Sequence, residues 1–167
     1  MRRESRPAVT AILAAALVLG FAPPLRADHN PGDAPLTINQ IHDLRFGRAA
    51  GDGTSSSQVR IDSATGAKTV SGGAFDFGGP HGPARFRVRG EPGHAFLIIL
   101  PADQVASGQG SPSNQLTVAS FESTPSGGGV IGQNGKADVL VGATLELAAD
   151  QPADDYDVNV PLEVIYP

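Results

Sequence analysis

Arg85, Arg87 and Arg89 alternate with Ala84, Phe86 and Val88 and form the one basic concentration in an acidic chain. In an extended strand, side chains two positions apart share a face, so the three guanidiniums project together at intervals of about 7 Å. Such a row is a candidate contact for an anionic polysaccharide or an acidic partner. The favoured alternative is a wet strand face whose charges are met by neighbouring acids such as Asp76 and Glu91. Asp150, Asp154, Asp155 and Asp157 cluster ahead of the last strand. Calcium takes about six to eight oxygens, and such a loop could offer several, but the spacing is not that of an EF-hand loop. A solvated acidic loop is the favoured reading. Gly127, Gly129 and Gly132 match the dinucleotide pattern G-x-G-x-x-G. That pattern needs a helix N-terminus behind the glycines, and the Asn134-Gly135 turn signal follows instead.

Other chemistry is poorly served. His29, His42, His81 and His94 have no paired metal-ligand spacing, there is no cysteine, and no G-x-S-x-G elbow occurs. The residues therefore give no catalytic group, no metal site and no cofactor site, and the reading is a protein that is not an enzyme. There is no tryptophan, so stacking on sugars or bases has little to work with.

The elements that would position these residues are strands. Tyr156, Val158, Val160, Leu162, Val164 and Tyr166 fall at every second position, which is one face of a β-strand. Pro161 cannot donate a ladder hydrogen bond, which argues that this terminal strand lies at a sheet edge. Its free backbone groups would then accept a strand from another chain. Tyr166, near the fraying end, is expected to matter more to that partner than to the fold. Residues 36–46 read as a first strand and 47–57 as a loop. Hairpin arms are expected over 58–62 and 68–71, a short strand around Phe75 and Phe77, and a clear strand over 84–89. Residues 95–100 are apolar at both parities, as in a central strand. Further strands follow over 115–121 and 137–147, the latter bulged at Gly142. No amphipathic helix is evident after the first residues. The pattern predicts an all-β, immunoglobulin-like antiparallel β-sandwich over 36–167.

The N-terminus reads as an address. Arg2, Arg3 and Arg6 precede an apolar run over 8–21, and Ala27 offers a small residue for cleavage. The run is shorter than the ~17–25 residues that span a bilayer. Residues 1–27 are expected to be a cleaved signal peptide, 28–35 a flexible leader, and the mature protein to have no membrane span. Loss of Arg2, Arg3, Arg6 and Arg26 with Glu4 takes the net charge from −5 to about −8. Such a surface repels nucleic acid.

The positions of Leu44, Phe46 and Gly47, of Gly72 and Gly73, and of Phe86, Val88 and Gly90 carry a family resemblance. So do Phe96, Ile98, Leu100 and Pro101, then Val141, Gly142 and Leu145, and the stretch from Gln151 to Tyr166. Over nearly the whole mature length the chain resembles the bacterial exported domain of unknown function family 4402. That family is similar to spore coat protein U and fimbrial subunit domains. The resemblance implies an exported structural or surface protein of the envelope, a fimbria-like or coat subunit that works through protein–protein contacts. Its location would be the periplasm, the outer surface or the extracellular space. Its partners would be other copies or a periplasmic chaperone, gripping the edge formed by Val158, Val160, Leu162, Val164 and Tyr166. The short polar leader, the lack of a cysteine pair and a sufficient strand count keep a rival open: a self-contained monomeric module that binds a polysaccharide or another envelope ligand.

Overall fold

The computed structural model describes residues 34–167 apart from residue 112. The expected signal, 1–27, and the leader as far as residue 33 lie outside the described residues. The described chain forms fourteen strands and no helix. The first six are β1 (Thr37–His42), β2 (Leu44–Ala50), β3 (Ser57–Ile61), β4 (Lys68–Ser71), β5 (Phe75–Asp76) and β6 (His81–Gly82). There follow β7 (Ala84–Arg89), β8 (Ala95–Ile99), β9 (Gln104–Gly108) and β10 (Gln115–Thr124). The last four are β11 (Gly128–Val130), β12 (Lys136–Leu147), β13 (Asp154–Val158) and β14 (Glu163–Ile165).

All pairings are antiparallel. One ladder runs β1-β7-β12-β10-β9-β13-β2-β5, with β3 and β4 carried on the C-terminal half of β12 and β6 on β2. It curls until β2 lies across the core from β3, β7 and β12. A second sheet, β11-β8-β14, adds Phe96 and Ile98 to the same core. The chain is therefore an immunoglobulin-like antiparallel β-sandwich. Alternation explains why: in β7, Ala84, Phe86 and Val88 are buried and the arginines between them are not. Leu44, Phe46, Val59, Ile61, Val139 and Val141 meet them in the interior. Every large apolar side chain so placed contributes roughly 1.5–3 kcal/mol by leaving water.

Several elements depart from the sequence pattern. The alternating tail is two strands, β13 in the large sheet and β14 in the small one. Pro161 stands in the crossover between them, where no ladder donor is needed. β13 is paired on both sides, with β2 and with β9, so it is interior. Of the five residues expected at a partner-binding edge, Val158 and Val160 are core residues, and Leu162 and Val164 pack partly buried against it. Of the two tail strands, β14, bonded among the described residues to β8 alone, is the one at a sheet edge.

Residues 36–46 divide at Asp43 into β1 and β2, and β2 continues to Ala50 through residues that read as loop. The Asn134-Gly135 turn forms, with the Gly132 N–H donating to the Lys136 carbonyl at 2.9 Å. Gly135 takes the left-handed φ of 71° that this turn requires. Its two arms nevertheless join different sheets. The bulge expected at Gly142 sits opposite it, in β10 between Ala119 and Glu122, where Ser120 has φ 53°. Gly142 itself is needed for close approach, because a Cβ there would fall on the Ile61 carbonyl of β3.

Candidate functional surfaces

The three arginines do share one face. Register across β1, β7 and β12 sets Thr37, Arg89 and Lys136 in one row, Asn39, Arg87 and Asp138 in the next, and His42, Arg85 and Leu140 in a third. The counter-charge is Asp138, not Asp76 or Glu91. Arg85 donates to Asp138 at 2.6 Å, and Arg87 donates through Nε at 2.8 Å and through a terminal nitrogen at 3.2 Å. Asp76 instead takes Lys68, and the Glu91 N–H serves Tyr166. The side-chain bond from Arg87, then that from Arg85, holds the Asp138 carboxyl down at about 2. Among the described residues no carboxylate lies within ion-pair reach of Arg89 or Lys136. A shallow pocket of 260 Å³ lies beside them, lined by Arg87, Asn134, Lys136, Ala137 and Asp138.

Sequence reasoning missed Lys136 and Asp138 as members of this face. Their alternation with Ala137 and Val139 marks them as outward-facing. Nothing local could bring them beside arginines some fifty residues earlier, because cross-strand pairing is set by tertiary topology.

The second surface is the outer face of the small sheet. β8 is its central strand, as expected of residues apolar at both parities, yet only Phe96 and Ile98 are buried. Leu97 and Ile99 are each 43% exposed, and register places Val130 (62%) and Ile165 (40%) on the same side. β14 borders this patch and, among the described residues, leaves one row of backbone donors and acceptors without a strand partner. Tyr166 is not a fraying end. Its Oη accepts the Glu91 N–H at 2.8 Å and donates to the Ala34 carbonyl at 3.1 Å. The ring also lies edge-on to His94, with centroids 6.3 Å apart.

The acidic cluster is dispersed by its strand. Asp154 is buried, and its carboxylate accepts the N–H groups of Gly110 at 2.8 Å, Asp155 at 2.9 Å and Ser111 at 3.1 Å. Burial pushes this carboxyl up, but those bonds and one from Asn114 outweigh it, and the net shift is downward. Asp154 thus anchors the β9–β10 loop. Asp155 and Asp157 face the opposite side, next to Arg48 and Arg45. Asp157 is pushed up by its burial, against the pull of Arg45. Among the described residues no three potential ligands gather around a metal position. Gly127 to Gly132 lead into β11 and a turn, so no helix dipole stands behind them. His42 is in β1, His81 in β6 and His94 in the β7–β8 connection, and His29 lies outside the described residues. Among the described residues no helix is long and apolar enough to cross a membrane.

Neither a search of curated proteins nor one of solved structures found a match. A family model does match, over residues 36–166. That span opens one residue before β1 and closes one residue after β14, so it takes in every strand of the sandwich. The match thus covers the whole sandwich, and the chain belongs to the family described as domain of unknown function (DUF4402).

Proposed function

We propose that the protein is an exported structural or surface component of the bacterial envelope that works through protein–protein contact at the small sheet. The supporting observation is the apolar patch of Leu97, Ile99, Val130 and Ile165, which runs across β11, β8 and β14 to the open edge. Exposed apolar groups that are contiguous across strands are a feature of interaction sites. An edge strand beside such a patch adds backbone hydrogen bonds to the apolar contact. The partner is a second copy in a fimbria-like or coat assembly, or a periplasmic chaperone that covers the patch before assembly.

Leu97→Lys with Val130→Lys tests this reading. Both side chains already face solvent, so the double variant keeps its thermal midpoint. Size-exclusion chromatography with light scattering, on protein purified with and without its envelope neighbours, should show assemblies or a captured partner that the variant loses. A monomer without partners in both preparations would favour the self-contained binding module. Export itself predicts a mature N-terminus at Asp28, after cleavage behind Ala27. Mass spectrometry of the envelope fraction checks it, and a chain still beginning at Met1 would contradict it.

A further inference from the structure

We propose that the outer face of β1, β7 and β12 binds a linear polysaccharide carrying carboxylates on its sugar rings. Removal of the signal would leave a chain of about −8, yet these rows hold Arg85, Arg87, Arg89 and Lys136 against Asp138 alone. Arg89 and Lys136 face each other across the strand pair, an arrangement that like charges disfavour unless an anion lies between them.

Asp138 does not cancel the face; it orders it. Its two oxygens hold Arg85 and Arg87 side by side, and each guanidinium keeps further N–H groups that Asp138 does not use. Guanidiniums fixed in this way lose less entropy when they fork onto another carboxylate. Arg85 to Arg89 spans about 13 Å along the strand, from four residues of ~3.3 Å rise. The notch beside Arg87 and Lys136 is only 260 Å³. An extended polymer suits such a strip better than a compact ligand. Thr37, Asn39 and Asn134 stand among the cations, offering hydroxyl and amide groups to sugar hydroxyls. An acidic protein partner would look for aromatic and apolar anchors, and Leu140 is the one large apolar side chain in these rows.

The test uses the exported protein and polygalacturonate, with its fully methyl-esterified form as a neutral polymer of the same backbone. Calorimetric titration in 50 mM salt should show binding to the acid form and none to the ester. Arg89→Gln with Lys136→Gln should weaken binding about tenfold or more, and raising the salt to about 300 mM should do the same by screening. Arg45→Gln with Arg48→Gln, on the opposite layer, removes the same charge and should change affinity less than about twofold. Unaltered thermal midpoints confirm that both pairs fold. No binding to the acid form, equal binding to the ester, or equal loss in both variants would overturn the proposal. So would equally tight binding of duplex DNA, or a change of oligomeric state in the Arg89/Lys136 variant, which would assign the face to another macromolecule. The lysine substitutions at Leu97 and Val130 leave this face untouched, so the two proposals fail separately.

Discussion

Asp138 shows how one carboxylate can set the character of a surface. With its folded-state value near 2 and an unfolded value of about 3.9, it is stabilising when ionised. That contribution is complete above about pH 4 and is lost as the pH falls towards 2. Asp52, also held at about 2 by its bonds to Thr54 and Ser55, titrates in the same window. Asp138→Asn should therefore lower the thermal midpoint between pH 5 and 7, and the difference from the unmodified protein should shrink as the pH falls towards 2. A circular-dichroism melt series checks this, and added salt should shrink the difference because the pair is exposed. Tyr166 is a second case. It closes the β7–β8 turn and ties down the start of the described chain, so Tyr166→Phe should cost about 0.5–1.5 kcal/mol for each hydrogen bond lost. Urea unfolding measures it, and no loss would mean that the hydroxyl serves a partner only.

At the scale of the element, β8 serves both sides of its sheet. Phe96 and Ile98 reach into the core while Leu97 and Ile99 face solvent. Phe96→Ala should cost about 3–5 kcal/mol, as for a large aromatic removed from a packed interior. A loss below about 1 kcal/mol in chemical denaturation would show that the ring is peripheral. Parity along β7 was legible from the sequence because its two faces differ in polarity. Parity along β8 was not, since apolar residues at both parities describe equally a buried strand and a strand with an apolar binding face. The same ambiguity hid the division of the tail: Val158, Val160, Leu162 and Val164 keep period two across the break. A crossover between sheets that preserves inward-facing residues leaves no mark in the alternation.

For the whole molecule, the tail holds two sheets together. β13 is wedged between β2 and β9, and β14 completes the small sheet through β8. Deleting residues 162–167 removes β14 and Tyr166, and uncovers the flank of β8. Stable folding or secretion should be abolished, measured as loss of a cooperative melt and of protein in the envelope fraction. A truncated protein that melts cooperatively near the original midpoint would show that the large sheet is sufficient by itself. The deletion and the surface lysines also separate two roles of this region, since the first removes architecture and the second alters only what solvent meets.

Local information settled the class of fold. Alternation, turn glycines and the absence of helical periodicity each depend on a few neighbouring residues, and they led to an antiparallel sandwich in which Phe86, Val88, Val139 and Val141 are core. The row of arginines was legible for the same reason. Tertiary structure alone decided what those arginines meet, because Asp138 reaches Arg85 and Arg87 through pairing between strands distant in the chain. It also decided that Val158 and Val160 are interior, that Asp154 is an anchor, and that Leu97, Val130 and Ile165 form one patch. Strand partners are chosen by burial of the whole core at once, so the surfaces made by pairing are properties of the folded chain.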